Sequence, residues 1–216
     1  RELQTLWQAD SKGGVVLNGN KGWVPLPDHC EAYFVVCRAG GSQGALSVVR
    51  MPATADGVAM SPRNPAAFMP ELPAARMQLQ EVALDASAML PGDGWTDYAR
   101  PFGALEELYV SAALMGYLLR EGRARDWPQA MLRQMLAAIT LLERIAAEAG
   151  TNQSMVLLAG ATEWVRTLLT RATAQWAEQP DDVAGQRWAR DETVQRMWAA
   201  PGAKRGERAW QALVDA

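Results

Sequence analysis

Hydrophobic and polar positions change their period once along this chain. From Ala75 to Gln80 they alternate strictly, with Ala75, Met77 and Leu79 set against Arg76, Gln78 and Gln80. That is the period of a strand with one wet face. Val82 breaks the phase and predicts a bulge near Glu81. Upstream, Val15-Val16-Leu17 and Trp23-Val24 flank Asn18-Gly19, a dipeptide that favours positive φ and predicts a tight hairpin. Residues Ala32 to Cys37 form a β-rich run, followed by a Gly40-Gly41 turn and a second run from Ala45 to Val49. The stretch from Pro52 to Pro73 is dense in proline and reads as an irregular excursion rather than a sheet interior. Pro91-Gly92-Asp93-Gly94 is a strong turn signal that closes the β region.

Beyond that turn the period becomes helical. Leu105, Leu108, Ala112, Met115 and Leu119 lay one stripe along a helix covering Arg100 to Leu119. Ser111, Ala112, Ala113 and Gly116 are small enough for another backbone to approach it closely. Asp126-Trp127-Pro128 reads as the next helix start, with Asp as cap and Pro in the first turn. Met131, Leu132, Met135, Leu136, Ile139, Leu142 and Ile145 then form a broad apolar stripe up to Gly150. Thr151 or Asn152 caps a helix that buries Met155, Leu158, Val165, Leu168, Leu169 and Trp176 and ends by Pro180. Asp181-Asp182 caps a further helix that Pro201-Gly202 stops, and Arg205 to Val214 adds a short last one. The connections are short, as in antiparallel bundles. The fold class is therefore α+β: an antiparallel β-sandwich or barrel-like domain over residues 1–99, then an antiparallel helical bundle over residues 100–216.

Composition narrows the function classes. With 216 residues, 49% of them hydrophobic and 21% charged, the chain is an ordinary globular one with a sizeable core. A net charge of -3, spread over both halves, argues against a nucleic-acid partner. The longest uncharged apolar run, Leu108 to Leu119, is shorter than the roughly 20 residues a bilayer span needs. No secretory signal is visible, and Cys30 and Cys37 alone make no disulfide framework, so a cytoplasmic setting is expected. The first residue is Arg1 rather than Met, which suggests a processed chain or a fragment.

Few residues carry obvious chemistry. The single histidine, His29, cannot supply a metal site alone, and its neighbour Cys30 would point to the opposite face of a strand. Gly13-Gly14 and Gly40-Gly41 lie between strands and lead into no helix, so neither is a phosphate-cradling loop. Six of the nine tryptophans fall in the helical half, where core and interface packing accounts for them. Glu106 and Glu107 sit in the first turn of the first long helix, where the macrodipole favours acids. They are also the only paired carboxylates at the junction of the two halves. One helical position is about 100° of rotation, so both cannot face the same way.

The run Gly13-Gly-Val-Val-Leu-Asn-Gly-Asn-Lys-Gly-Trp-Val24 resembles the middle-domain signature of the acyl-CoA dehydrogenases. Tyr33 to Arg38 is similar to that family's next strand, and Gln78 to Asp85 with Leu90 to Gly94 is similar to the stretch leaving its middle domain. Leu105-Glu-Glu-Leu108 resembles the opening of its C-terminal bundle. The resemblance implies a flavoprotein: FAD accepts a hydride from the β carbon of an acyl-CoA while a carboxylate removes the α proton. Most members carry that base late in the bundle. The matching region here, Met197 to Gly202, has no carboxylate. A minority carry it in the first bundle helix, and alignment on Ala113 and Gly116 puts Glu106 there.

Trp23 stands where the family's flavin-facing Trp stands. Arg123 and Gln134 keep the spacing of the pair that reaches the flavin of a neighbouring subunit. Several departures accompany the likeness. The flavin loop that precedes the Gly-Gly run in the family, and the N-terminal helical domain, are not in this chain. The Trp-x-Thr/Ser element reads Trp23-Val24-Pro25, and proline has neither hydroxyl nor N–H. The Phe-Gly expected after Arg123 reads Asp126-Trp127-Pro128. Two classes follow. One is a flavin-dependent dehydrogenase of acyl-CoA that assembles as a homo-oligomer through its helical half. The other is a non-catalytic binding or assembly protein that keeps the fold and has lost flavin.

Overall fold

The structure, a computed structural model, describes residues 3–40, 44–63, 68–148, 150–192 and 200–215. The chain folds as two compact units, residues 1–101 and 102–216.

The first unit is built on one six-stranded sheet. Its strands are β1 (Thr5–Ala9), β2 (Val15–Pro25), β3 (Ala32–Ala39), β4 (Leu46–Pro52), β5 (Val58–Pro62) and β6 (Ala74–Leu84). They lie in the order β4-β3-β1-β2-β6-β5. Every neighbouring pair is antiparallel except β1 with β3, which pair in parallel through Leu6–Arg38 and Trp7–Ala39. The alternation along β6 is met residue for residue: Ala75, Met77 and Leu79 are buried, and the residues between them are exposed. After the phase break Val82 is the inward residue, and Glu81 sits at φ +48° as the extra residue of a bulge. Val15, Leu17, Val35, Cys37, Val49 and Met51 complete this core.

Two sequence expectations change here, and one strand was not expected. Asn18-Gly19 is no hairpin but the middle of β2, opposite the β6 bulge. The hairpin lies earlier, between β1 and β2. There the Asp10 carboxylate accepts from the amides of Lys12 and Gly14, each at 2.7 Å, and Gly13 takes φ +85°. The strand β1 was hidden by its brevity, since its five residues hold one buried side chain, Thr5. The proline-dense stretch contains the strand β5, which lies at the sheet edge, where the missing N–H of Pro62 is tolerated. Gly41, of the expected Gly40-Gly41 turn, lies outside the described residues.

The chain leaves the sheet through a π-type turn, Gly94–Ala99, that leads directly into α1 (Arg100–Ala124). Asp93 caps the turn, accepting from the amides of Trp95 and Thr96 at 3.0 and 2.8 Å. Then come α2 (Gln129–Ala147), α3 (Asn152–Ala177), α4 (Val183–Arg190) and α5 (Ala200–Val214). Thr151 caps α3 through the Ser154 amide, and Asp182 caps α4 through the Gly185 amide. The core joins Leu108, Met115 and Leu118 of α1 to Met131, Met135 and Leu142 of α2 and to Leu158, Val165 and Leu168 of α3.

Two expected caps differ. Asp126 does not cap α2: it stands at φ +52° in the turn that closes α1, where the Trp127 amide bonds back to the Gly122 carbonyl at 2.9 Å. Pro128 takes the cap position instead. Pro201 stops nothing. It lies within α5 (Ala200–Val214).

Trp127, Trp176 and Trp188 form one aromatic knot with Tyr117, at centroid spacings of 4.9 to 6.4 Å, so these indoles are core, as expected. The continuous helical stretch Gly94–Ala124 is 31 residues long, and by length and composition alone it could cross a membrane. In this fold Leu108, Met115 and Leu118 of that stretch are buried in the bundle core.

Candidate functional site

Trp23 belongs to a second irregularity of the sheet. Lys21 pairs with Met77 and Val24 with Ala75, so Gly22 and Trp23 together face the single residue Arg76. Such a bulge re-aims a side chain, and the Trp23 indole is partly exposed. It is not bare. The Arg63 guanidinium lies 4.8 Å over its centroid and donates to the Gly22 carbonyl, while Phe68 stacks at 6.1 Å with planes 22° apart. Arg63 and Phe68 went unread in the sequence because they lie in the proline-dense stretch, which has no period to place them.

Beneath this surface Lys21 points into the sheet. Its ammonium donates to the Val36 carbonyl on β3 at 2.6 Å. Strand β1, which lies between β2 and β3, pairs with β3 only through Arg38 and Ala39, leaving that carbonyl open to the lysine. Burial pulls the pKa of Lys21 below its ordinary value. Burial also pushes the thiol of neighbouring Cys37 up to about 11, the lysine's positive charge acting the other way.

In the helical unit the two adjacent acids part company. Glu107 is buried against α3, where Thr162 Oγ1 donates to its Oε1 at 3.0 Å; Glu106 is exposed. Arg123 is also exposed. With Gly116, Leu119, Arg120 and Ala124 it lines an open groove of about 450 Å³ along α1. Seventeen residues of helix, or about 25 Å of rise, separate it from Glu106. Gln134 does not join Arg123, because its Oε1 accepts from Arg171 of α3. Glu106, Arg123 and Gln134 therefore form no single cluster within the bundle. Arg125, one turn past Glu121, holds Glu121 at 2.7 Å and Asp182 at 2.9 Å and ties the end of α1 to the cap of α4. His29 and Cys30 make no pair: His29 ends a short turn and the Cys30 thiol is bonded to the Leu26 carbonyl. Among the described residues no group of three or more His, Cys, Asp or Glu is placed to hold a metal. The Met197–Ala199 part of the late-bundle region lies outside the described residues.

By sequence the chain matches no family profile and no curated protein. Its fold matches solved structures over nearly its whole length. Butyryl-CoA dehydrogenase from Megasphaera elsdenii superposes with a TM-score of 0.69 at 17% identity, covering 98% of this chain and 63% of that one. A probable acyl-CoA dehydrogenase from Mycobacterium abscessus gives 0.70 at 15%, covering 99% and 64%. The fold is that of the acyl-CoA dehydrogenases. The dibenzothiophene monooxygenase TdsC of a Paenibacillus species, in its FMN-bound form, shares it with a TM-score of 0.77 at 13%, covering 99% and 67%. The chain thus spans just under two thirds of the length of the acyl-CoA dehydrogenases named here.

Whether a flavin suits the acyl-CoA dehydrogenase fold as this chain builds it can be judged at Trp23. The indole is partly exposed and Arg63 sets a cation over its ring, chemistry that suits a planar, anionic group, although Arg63 and Phe68 already pack against that ring. Pro25 offers no amide to the edge of such a ring.

Proposed function

We propose that this chain is the β domain (residues 1–99) and helical bundle (residues 100–216) of a flavoprotein of the acyl-CoA dehydrogenase type. The observation that carries the reading is Trp23: a bulge in β2 turns an indole outward at the sheet surface and sets a guanidinium against it. The likeness of fold to structures titled as acyl-CoA dehydrogenases and as an FMN-bound monooxygenase supports it. A bound FAD would supply the hydride acceptor for α,β-dehydrogenation of an acyl-CoA. The chain's own contribution is Trp23 as stacking surface, Arg123 and Gln134 as cofactor contacts across subunits, and Glu106 as the base that takes the α proton. An exposed carboxylate with its neighbour buried can be presented to a substrate without rearranging the core.

The protein is further proposed to be cytoplasmic and to associate with itself through the helical half. Phe102, Tyr109, Leu136 and Trp210 are large, apolar and exposed there. A light-scattering mass above 23.5 kDa at micromolar concentration is the expected result.

A second reading is favoured by two observations. Residue 25 is proline, and the ring of Trp23 is already held by Arg63 and Phe68. In that reading the fold serves as a non-catalytic binding or assembly protein. Titrating the full chain with FAD and FMN separates the two. The flavoprotein reading expects a shifted flavin absorption band and quenched Trp fluorescence, both lost in Trp23→Leu. Absence of binding by either flavin would leave the non-catalytic reading standing.

A further inference from the structure

The first long helix of the bundle carries apolar residues on most of its circumference. Phe102, Leu105, Tyr109 and Val110 are exposed, while Leu108, Met115 and Leu118 are buried. Hydrophobicity alone leaves its rotation poorly determined. The most apolar stripe in the sequence is Leu105, Leu108, Ala112, Met115 and Leu119. The stripe that is buried runs Ala104, Glu107, Leu108, Ser111, Met115 and Leu118. At 100° per residue the two are turned from each other by about 70°. The observed rotation puts two polar side chains, Glu107 and Ser111, in the core and leaves Leu105 exposed, while Ala112 and Leu119 pack against the core only partly buried. Burying a carboxylate is costly unless something receives it.

One group that receives it is Thr162. The hydroxyl stands within α3, donates to Glu107 Oε1 at 3.0 Å, and lies 2.8 Å from the Leu158 carbonyl of its own helix. It is itself buried. We propose that Glu107 and Thr162 form a rotational lock on α1, and that its purpose is to aim Glu106. This rests on the proposed role of Glu106. Buried polar pairs of this kind fix register better than they add stability, because every other register strands one partner. Turned to the more apolar stripe, Glu107 would leave Thr162 for solvent and Glu106 would swing through the same angle. Both are positioning residues: neither needs to touch a substrate.

The lock is tested apart from any activity. A cysteine is introduced by Ala104→Cys or Leu105→Cys, and its alkylation in the full chain is read peptide by peptide. With the lock intact, position 105 labels faster than position 104, as their exposures require. In the Thr162→Val background the order inverts; in Thr162→Ser, which keeps the hydroxyl, it is restored. Should Thr162→Val not fold, Glu107→Ala removes the pair from the other side and gives the same inversion. Unchanged labelling order in a folded Thr162→Val or Glu107→Ala protein overturns the lock. If the protein turns over an acyl-CoA, Thr162→Val lowers kcat and Thr162→Ser recovers it. Loss of kcat that Thr162→Ser does not recover would overturn the aiming role. Absence of turnover in the wild type would count against the proposed function and leave the labelling result to decide the lock.

Discussion

Asn18 holds Glu81 at both ends of its amide: Oδ1 accepts the Glu81 backbone N–H at 2.9 Å and Nδ2 donates to Glu81 Oε1 at 2.8 Å. The contact spans β2 and β6 where their register slips, and it replaces the ladder bond that the bulge removes. Glu81 is held at φ +48°, a left-handed conformation that costs a side-chain-bearing residue about 1 kcal/mol. Asn18→Ala should destabilise the protein by about 0.5–1.5 kcal/mol, the net worth of a hydrogen bond whose exposed amide can turn to water instead. Glu81→Gly, which suits the backbone, should offset part of that loss. Urea unfolding of the two variants and the double variant checks both.

The alternation of β6 could be read from Ala75, Met77 and Leu79 because each inward residue has one job. Asn18-Gly19 could not, because the same positive-φ preference that closes a hairpin also serves a strand opposite a bulge; Gly19 has φ +138°. Which it does depends on pairing with residues some sixty positions away. Thr5 to Ala9 has no period to read, and its place in the sheet is fixed by two partners rather than by its own pattern. In the bundle, helix existence and the Thr151 and Asp182 caps were local facts and were legible. The rotation of α1 was not, since it turns on Thr162, a residue 55 positions from Glu107. Trp23 could be singled out in sequence, whereas its companions Arg63 and Phe68 could not.

Cys37 gives the sheet an alkaline limit. Its folded pKa, about 11, lies above the ordinary 9.0 because the thiol is buried. The folded state then holds a proton that the unfolded chain releases. The associated stability is full below pH 9 and is lost as pH rises through about 11. Lys21, whose pKa is lowered by burial, acts with the opposite sign, its penalty fading as the pH rises toward 10.5. Cys37→Ala should lose stability at neutral pH through its cavity, and that deficit should shrink by about 2 kcal/mol between pH 8.5 and 11. Chemical unfolding at several pH values reads the difference, and a deficit constant with pH would contradict the burial argument.

Gly94 marks where the π-type turn meets the sheet. A Cβ built there would lie 2.8 Å from the backbone of Leu46 and Ser47, atoms of β4 that cannot move without breaking the ladder. Gly94→Ala should cost about 1–3 kcal/mol, the range for overpacking at a rigid site. Gly116→Ala, on the same continuous helical stretch but with open space around it, is the control and should be neutral or slightly stabilising. Thermal unfolding of the pair is sufficient to compare them.

Glu106 and Glu107 are adjacent, chemically identical and oppositely placed, which makes them the sharpest test of the enzyme reading. Glu107→Gln keeps the shape and an oxygen for Thr162, so the lock should hold and turnover should change little. Glu106→Gln keeps the size of an exposed side chain and removes only its basicity. If Glu106 takes the α proton, this second change should lower turnover on an acyl-CoA by about 10²-fold or more, with flavin content and thermal midpoint unchanged. Stopped-flow bleaching of the flavin band isolates that step from product release. Equal loss in both variants would mean that helix packing rather than proton transfer had been disturbed. Near-normal bleaching in Glu106→Gln would remove Glu106 from the chemistry.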